Sequence, residues 1–137
     1  MCFVIHPDYP KTKTARKDII CFKMLQRFTN RDACKEPTSR ATVFKSPFRN
    51  VRYDLGQTCT AAIKRDSFVV NEIAEGLHSY TTWIRAKNCC SREYFVFKSI
   101  IPKGFKYYYN PRNQEYVSTG LKVLEYCMPA PDNNYIY

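Results

Sequence analysis

The sequence lacks the spaced cysteines and histidines that hold structural zinc. It has two histidines, His6 and His78, and none of its seven cysteines forms a Cys-x-x-Cys pair. The chain also has only four glycines, and neither the Gly-x-Gly-x-x-Gly nor the Gly-x-x-x-x-Gly-Lys pattern of nucleotide-binding loops occurs. These absences argue against a zinc domain and against the common phosphate-loop enzymes. We therefore expect no metal site and no cofactor.

Long apolar runs are absent as well. No stretch has the length of a membrane span or a signal peptide, and Pro7, Pro10, Lys11 and Lys13 interrupt the first twenty residues. The odd number of cysteines favours reduced thiols that are buried as small hydrophobic side chains. We expect a cytoplasmic protein that has no membrane partner, located in the host cytosol if the chain is encoded by a phage.

The length and composition predict one globular domain that spans residues 1–137. Apolar residues make up 45% of the chain and aromatic residues 15%, with eleven Tyr and nine Phe. Aromatic side chains favour half-buried, pleated surfaces, so this composition is typical of a β-rich core. No internal repeat and no linker is visible.

The net charge of +10 is concentrated near the N-terminus. Residues 1–55 carry twelve Lys and Arg against five Asp and Glu. A charge of this sign favours nucleic acid, a nucleotide or an acidic protein surface as the partner. We predict that Lys11, Lys13, Arg16 and Lys17 contribute to binding.

Apolar runs bounded by turn residues predict strands in most of the chain. The predicted strands are 18–25, 42–44, 51–55, 67–70, 93–101, 105–109, 115–118 and 121–126. Helical spacing predicts a short helix over 80–87, with Trp83 and Ile84 facing the sheet and Ser79 or Thr81 as its N-cap. Residues 1–17 are expected to form an irregular basic arm, and residues 128–137 a loosely attached tail. Together these elements predict a single-domain α+β fold with a curved antiparallel sheet and one or two short helices.

A second group of candidate binding residues follows the Pro102-Lys103-Gly104 turn. On a strand over 105–109, Lys106 and Tyr108 share one face. Such a face can stack a base while Lys103 and Arg112 contact phosphates. The alternative is a curved edge strand with tyrosines at its rim.

The segment Gly76-Leu77-His78-Ser79-Tyr80 is the other candidate site. Gly76, His78 and Tyr80 are predicted to line a pocket in which His78 acts as a general base or as a ligand to substrate. The alternative is a partly buried histidine that braces the loop. Glu72 and Glu75 share a face only if their segment is helical.

The order of several short motifs resembles a group of small uncharacterised proteins of Bacteroidetes bacteria and their phages. The matching segments are Met1-Cys2, Phe22-Lys23, Ser46-Pro47-Phe48, Tyr53-Asp54-Leu55-Gly56, Gly76-Leu77-His78-Ser79-Tyr80, Ile101-Pro102-Lys103-Gly104 and Tyr116-Val117-Ser118. The resemblance covers residues 1–126. It implies a fold shared with that group and an origin in a phage or mobile element, and it implies no activity.

The element order is also similar, more weakly, to ADP-ribosyltransferase folds. In this similarity Ser79-Tyr80-Thr81 stands for the segment that shapes the nicotinamide pocket, and Glu115 for the carboxylate that orients the ribose. The resemblance implies NAD as cosubstrate and Glu115, His78 and Ser79 as candidate catalytic residues. The chain departs from the family pattern at Lys23, where Arg or His is expected, and at Asn113, where Glu or Gln is expected.

Three functions are therefore expected, in decreasing order. The first is a small basic accessory protein of a phage or mobile element that binds a nucleic acid, a nucleotide or a nucleic-acid-handling host complex, and so inhibits host defence. The second is an ADP-ribosyltransferase-like enzyme that uses Glu115. The third is a structural or cargo component of a phage particle.

Overall fold

The computed structural model describes residues 3–27, 44–45, 52–88 and 94–127. Within these ranges the one helix, α1, spans Trp83–Asn88. The strands are β1 (Phe3–Val4), β2 (Lys13–Thr14), β3 (Ile19–Arg27), β4 (Phe44–Lys45), β5 (Arg52–Tyr53), β6 (Thr58–Thr60), β7 (Lys64–Arg65), β8 (Glu72–Glu75), β9 (Leu77–Tyr80), β10 (Tyr94–Ile101), β11 (Lys106–Asn110), β12 (Glu115–Ser118) and β13 (Gly120–Tyr126).

The strands form one large and one small sheet, and the pairs in both are antiparallel. The large sheet has the order β2-β11-β12-β9-β3-β10-β13-β6, with β4 paired to β3 and β5 to β4. The small sheet has the order β1-β8-β7. The predicted antiparallel sheet is confirmed. With a single short helix in the described residues, however, the fold is mainly β, and α+β describes it only loosely.

The large sheet curves because β12 and β13 are two halves of one bent strand. The N–H of Thr119, between them, donates to the carbonyl of Lys106 across 2.9 Å, and its carbonyl accepts from the N–H of Ala61 across 3.0 Å. The hydrogen-bonded order β12-β9-β3-β10-β13 therefore begins and ends on this one bent strand. This return gives the sheet an inner face and an outer face.

Two glycines permit the sharp changes of direction. Gly76 joins β8 of the small sheet to β9 of the large sheet, with φ at +151°, and a Cβ there would collide with Cγ2 of Val117. At Gly120, where β13 begins, a Cβ would collide with the ring of Phe105. Both positions therefore require the absence of a side chain.

The main core lies on the inner face, as the alternation along β3 shows. Cys21 and Leu25 are fully buried in it, and Lys23 lies between them at 5% exposure. From other strands, Leu77, Phe97, Leu121 and Val123 contribute to this core. We use the term inner face for the side of the sheet that these seven residues define.

Two smaller cores cover the outer face. Helix α1 buries Trp83 and Ala86 against Tyr80 and Val96. The small sheet packs on the other half of the outer face; there the buried residues are Phe3, Ile5, Ile73, Tyr108 and Val117. The predicted helix is confirmed, but its N-cap is Thr82, whose Oγ1 accepts the N–H of Arg85 across 3.2 Å. The strand β9 extends through Tyr80, which moves the helix start beyond Ser79 and Thr81.

One expectation about local structure is wrong, and the structure decides two further segments. The predicted strand 67–70 is wrong, because Oδ1 of Asp66 accepts the N–H groups of Phe68 and Val69 and holds a turn. Residues 72–75 form a strand, not a helix, so Glu72 and Glu75 do not share a helical face. The predicted strand 105–109 is confirmed as β11, which pairs with β12 and β2.

The expected irregular arm 1–17 is in fact built into the fold. Its described part contains β1, β2 and the buried side chains of Phe3 and Ala15. The predicted tail 128–137 and the Ser46-Pro47 turn lie outside the described residues.

Candidate functional site

Six exposed basic residues lie along the edge of the sheet where the N-terminal segment runs beside β11. In the ladder between β2 and β11, Thr14 pairs with Lys106 and Lys13 with Tyr107. The same alignment continues through a backbone hydrogen bond, in which the N–H of Gly104 donates to the carbonyl of Ala15 across 2.8 Å. We call the six residues the basic edge: Lys11, Lys13, Arg16, Lys17, Lys103 and Lys106.

The basic edge carries almost no compensating negative charge. Within the described part of the chain, none of its six side chains forms an ion pair with a carboxylate. Elsewhere Arg52 pairs with Asp54 at 3.1 Å and Lys64 with Glu75 at 3.5 Å. The nearby Asp18 directs its Oδ1 to the backbone N–H of Lys103, at 2.9 Å. The basic edge is therefore a patch of positive potential at the rim of the sheet.

Four half-buried tyrosines adjoin the basic edge, and we call them the tyrosine stack: Tyr9, Tyr107, Tyr109 and Tyr116. The ring centroids of Tyr9 and Tyr109 are 5.3 Å apart, as are those of Tyr109 and Tyr116. Tyr107 and Tyr116 meet edge to face at 5.8 Å. The Nζ of Lys13 lies 5.1 Å from the centroid of Tyr9, which joins the stack to the basic edge.

The structure places the predicted binding residues unevenly. Lys11, Lys13, Arg16, Lys17, Lys103 and Lys106 lie along one edge of the sheet, with Lys13 and Lys106 on opposite faces. Arg112 is exposed on the turn beyond the far end of β11. Oδ1 of Asn110 holds that turn by accepting the N–H of Arg112 across 3.0 Å. The ring of Tyr108 is only 7% exposed and packs against Phe3, so it offers no face for stacking. The accessible rings belong to its neighbours on the other face of β11.

The candidate catalytic residues do not share one face. Directly opposite residues of an antiparallel pair point to the same side, and the pairs are Tyr80 with Glu115 and Ser79 with Tyr116. Ser79 therefore lies on the inner face and Glu115 on the outer face. Burial raises the pKa of the half-buried Glu115 carboxyl, and the charge of Arg85 opposes that increase.

A buried lysine, which the sequence marks only as a departure from the ADP-ribosyltransferase pattern, lies on the inner face. Lys23 is 5% exposed, and its Nζ donates to the carbonyl of His78 across 2.6 Å. The Nζ also lies 5.3 Å from the ring centroid of Tyr53. Burial lowers the pKa of Lys23 to about 8, although the nearby thiols Cys21 and Cys59 favour the charged form. The alternation along β3 is a signal for this burial, because Lys23 occupies an inward position between Cys21 and Leu25.

The neighbours of Lys23 are neutral. Burial raises the pKa of the Cys21 thiol to about 12, an effect that the Ser79 hydroxyl and Lys23 only partly oppose. Cys21 and Cys59 are free thiols, and such protonated thiols are poor nucleophiles. The Ser79 hydroxyl is close enough to affect Cys21, yet it has no well-formed hydrogen bond within the described residues.

No protein-family model, curated protein or solved structure matches this chain. In the described ranges, no helix combines the length and the apolar character needed to cross a membrane. The same ranges contain no group of three His, Cys, Asp or Glu side chains arranged to hold a metal ion.

Proposed function

We propose that this protein is a small basic module that binds single-stranded nucleic acid. The basic edge contacts the phosphates, and the tyrosine stack packs against unpaired bases. The observation that carries the proposal is a sheet edge with six exposed cations, at which Lys13 lies on the same side as Tyr107 and over the half-buried ring of Tyr9.

The two parts supply different components of the binding energy. Exposed lysines and arginines displace condensed counterions from phosphates, which makes affinity strongly dependent on salt. Each base that stacks on an aromatic ring adds about 1–3 kcal/mol with little dependence on sequence. The pairing of Lys13 with Tyr107 puts a cation and a ring on the same side of the sheet. One nucleotide can therefore contact both components at once.

A single strand fits this surface better than a duplex. Rings stack only on bases that are free of their partners, and a duplex hides those faces. The one described helix, α1, packs its buried side against the outer face of the sheet and has six residues. It is not part of the basic edge, so no helix is available there to enter a major groove.

The biological setting is part of the proposal. The motif resemblance suggests a phage or mobile-element protein that acts in the host cytosol. By occupying the nucleic acid of a host defence complex, a module of this kind would inhibit that complex. The free thiols Cys21, Cys59 and Cys127 are compatible with the reducing cytosol.

Fluorescence anisotropy with labelled single-stranded DNA and RNA of about a dozen nucleotides tests the proposal directly. We expect affinity that falls steeply as salt rises, and loss of binding when Lys11, Lys13, Arg16 and Lys17 are all changed to Glu. Circular dichroism of the variant controls for folding. The proposal fails if neither the DNA nor the RNA binds at low salt. It also fails if an acidic protein binds while neither oligonucleotide does.

An ADP-ribosyltransferase-like activity remains the second candidate. The observation that favours it is the half-buried carboxyl of Glu115 near Arg85. The opposite orientations of Ser79 and Glu115 weigh against it. The test is NAD hydrolysis by the wild-type protein, with Glu115→Gln as the control. A role as a structural component of a phage particle predicts self-association, which light scattering of the purified chain would detect.

A further inference from the structure

The inner face contains a second arrangement of polar groups, separate from the basic edge. We propose that the Lys23 amine and the Ser79 hydroxyl together bind a small oxyanion, either a carboxylate or a phosphate group. The inference is independent of nucleic-acid binding, because neither residue belongs to the basic edge or to the tyrosine stack.

The first observation is the incomplete pairing of Lys23. An ammonium group has three N–H donors, and within the described residues Nζ has one hydrogen-bond acceptor, the His78 carbonyl. No described carboxylate forms an ion pair with it. A buried cation without a counter-charge is costly. An oxyanion would accept the remaining N–H groups and neutralise the charge.

The second observation is the Ser79 hydroxyl. Ser79 is 1% exposed, and its Oγ has no hydrogen-bond partner in the described part of the chain. It follows directly after His78, the residue whose carbonyl Lys23 contacts. The other buried serines nearby are satisfied, since Oγ of Ser99 bonds to Phe97 and Oγ of Ser118 to Gly120. Among the described residues, the Ser79 hydroxyl interacts with the neutral Cys21 thiol. Because Phe22 pairs with Tyr80, Ser79 lies directly opposite Lys23 and on the same face, so its hydroxyl can turn to an oxyanion that the amine holds.

The surroundings favour an anion of this kind. Cys21 and Cys59 are neutral thiols and do not compete for the charge of Lys23. Tyr116, directly opposite Ser79 in the ladder, is in ring contact with Tyr109. Tyr109 in turn contacts Tyr9 at the surface.

The test uses inorganic phosphate and acetate as probes, titrated at constant ionic strength with sodium chloride as the balancing salt. Binding is measured by isothermal calorimetry and by the shift in melting temperature. The variants are Lys23→Met, which keeps the length and bulk of the side chain, and Ser79→Ala. A third variant, Lys13→Gln with Lys106→Gln, removes cations from the basic edge and serves as the control.

We expect saturable binding of at least one of the two anions to the wild-type protein. Lys23→Met should weaken that binding by about tenfold or more, the usual effect of losing a charge-assisted hydrogen bond. Ser79→Ala should weaken it several-fold, and the basic-edge variant should bind as the wild type does. Selective binding of phosphate or of acetate identifies the class of oxyanion.

Two results would overturn the inference. One is the absence of saturable binding of both anions to the wild-type protein. The other is equal binding by the wild type and Lys23→Met, together with loss in the basic-edge variant, which assigns the anion to the surface. Neither result affects the proposal for single-stranded nucleic acid, which is tested on different residues.

Discussion

Lys13 lies directly opposite Tyr107 in the ladder between β2 and β11. Because opposite residues point to the same side of a sheet, this register places a cation beside the ring that begins the tyrosine stack. A shift of one residue would turn Lys13 to the other face. The register of a strand with only two residues thus determines whether charge and aromatic surface act together.

Tyr108 and Tyr109 should respond oppositely to truncation. Tyr109→Ala removes a half-buried ring of the tyrosine stack, so affinity for single-stranded DNA should fall by about 1–3 kcal/mol. The free energy of unfolding should fall by about 1 kcal/mol, from the lost ring contacts with Tyr9 and Tyr116. Tyr108→Ala instead empties a buried position next to Phe3 and should lower the free energy of unfolding by about 3 kcal/mol. Anisotropy and urea denaturation measure the two effects. Tyr109→Phe, which keeps the ring, is the matched control, and unchanged binding by Tyr109→Ala would contradict the assigned role.

The amine of Lys23 should make stability depend on pH. Its pKa is about 8 in the folded protein, against 10.5 for a free lysine, so between these values the unfolded chain holds more protons. Stability due to this group therefore rises with pH, by about 1 kcal/mol between pH 8 and 9. Thiols such as Cys21, whose pKa is raised to about 12, act in the opposite direction above about pH 9.

Comparison of the wild type with Lys23→Met isolates the contribution of the lysine to the pH dependence of stability, because the thiols are present in both proteins. Below pH 8 the variant should be at least as stable as the wild type, since it buries no charge. This advantage should shrink by about 1 kcal/mol between pH 8 and 9 in urea denaturation. A difference that does not change with pH would mean that Lys23 is not titrating in that range.

Much of the fold follows from local patterns in the sequence. The strand β10 and the break between β12 and β13 were predicted within one or two residues, because apolar runs end there at Pro102 and Gly120. The short strands β1, β2, β6, β7 and β8 were not predicted. With two to four residues each, they are too short to show a periodic pattern. The pairing partners of β1, β2 and β6 are also distant in the chain.

The candidate site was only partly predictable for the same reason. Charge density singled out Lys11, Lys13, Arg16 and Lys17, but their position beside Lys106 depends on a pairing ninety residues apart in the chain. Strand alternation placed Lys106 and Tyr108 on one face, yet it could not reveal that the small sheet covers Tyr108. The burial of Lys23 likewise depends on which face of β3 the sheet curves around.

Gly76→Ala should be far more damaging than Gly56→Ala. Both glycines have positive φ, +151° and +79°, but a Cβ at Gly76 collides with Val117 while one at Gly56 has open space. We expect a loss of about 3 kcal/mol at Gly76, from strain and overpacking together, and about 1 kcal/mol at Gly56. Thermal unfolding of the two variants checks this, and equal losses would remove the steric argument for the join between β8 and β9.

The most direct test of the central claim is the salt dependence of binding to a single-stranded oligonucleotide, measured by anisotropy. The logarithm of the affinity should fall linearly with the logarithm of salt concentration. In Lys13→Gln with Lys106→Gln the slope should be smaller by about 1.4, the value for two lost phosphate contacts. The control, Lys87→Gln with Lys122→Gln, changes the same charge on α1 and β13 and should keep the wild-type slope. A wild-type affinity that does not vary with salt, or equal slopes in the two double variants, would contradict the assignment of the basic edge.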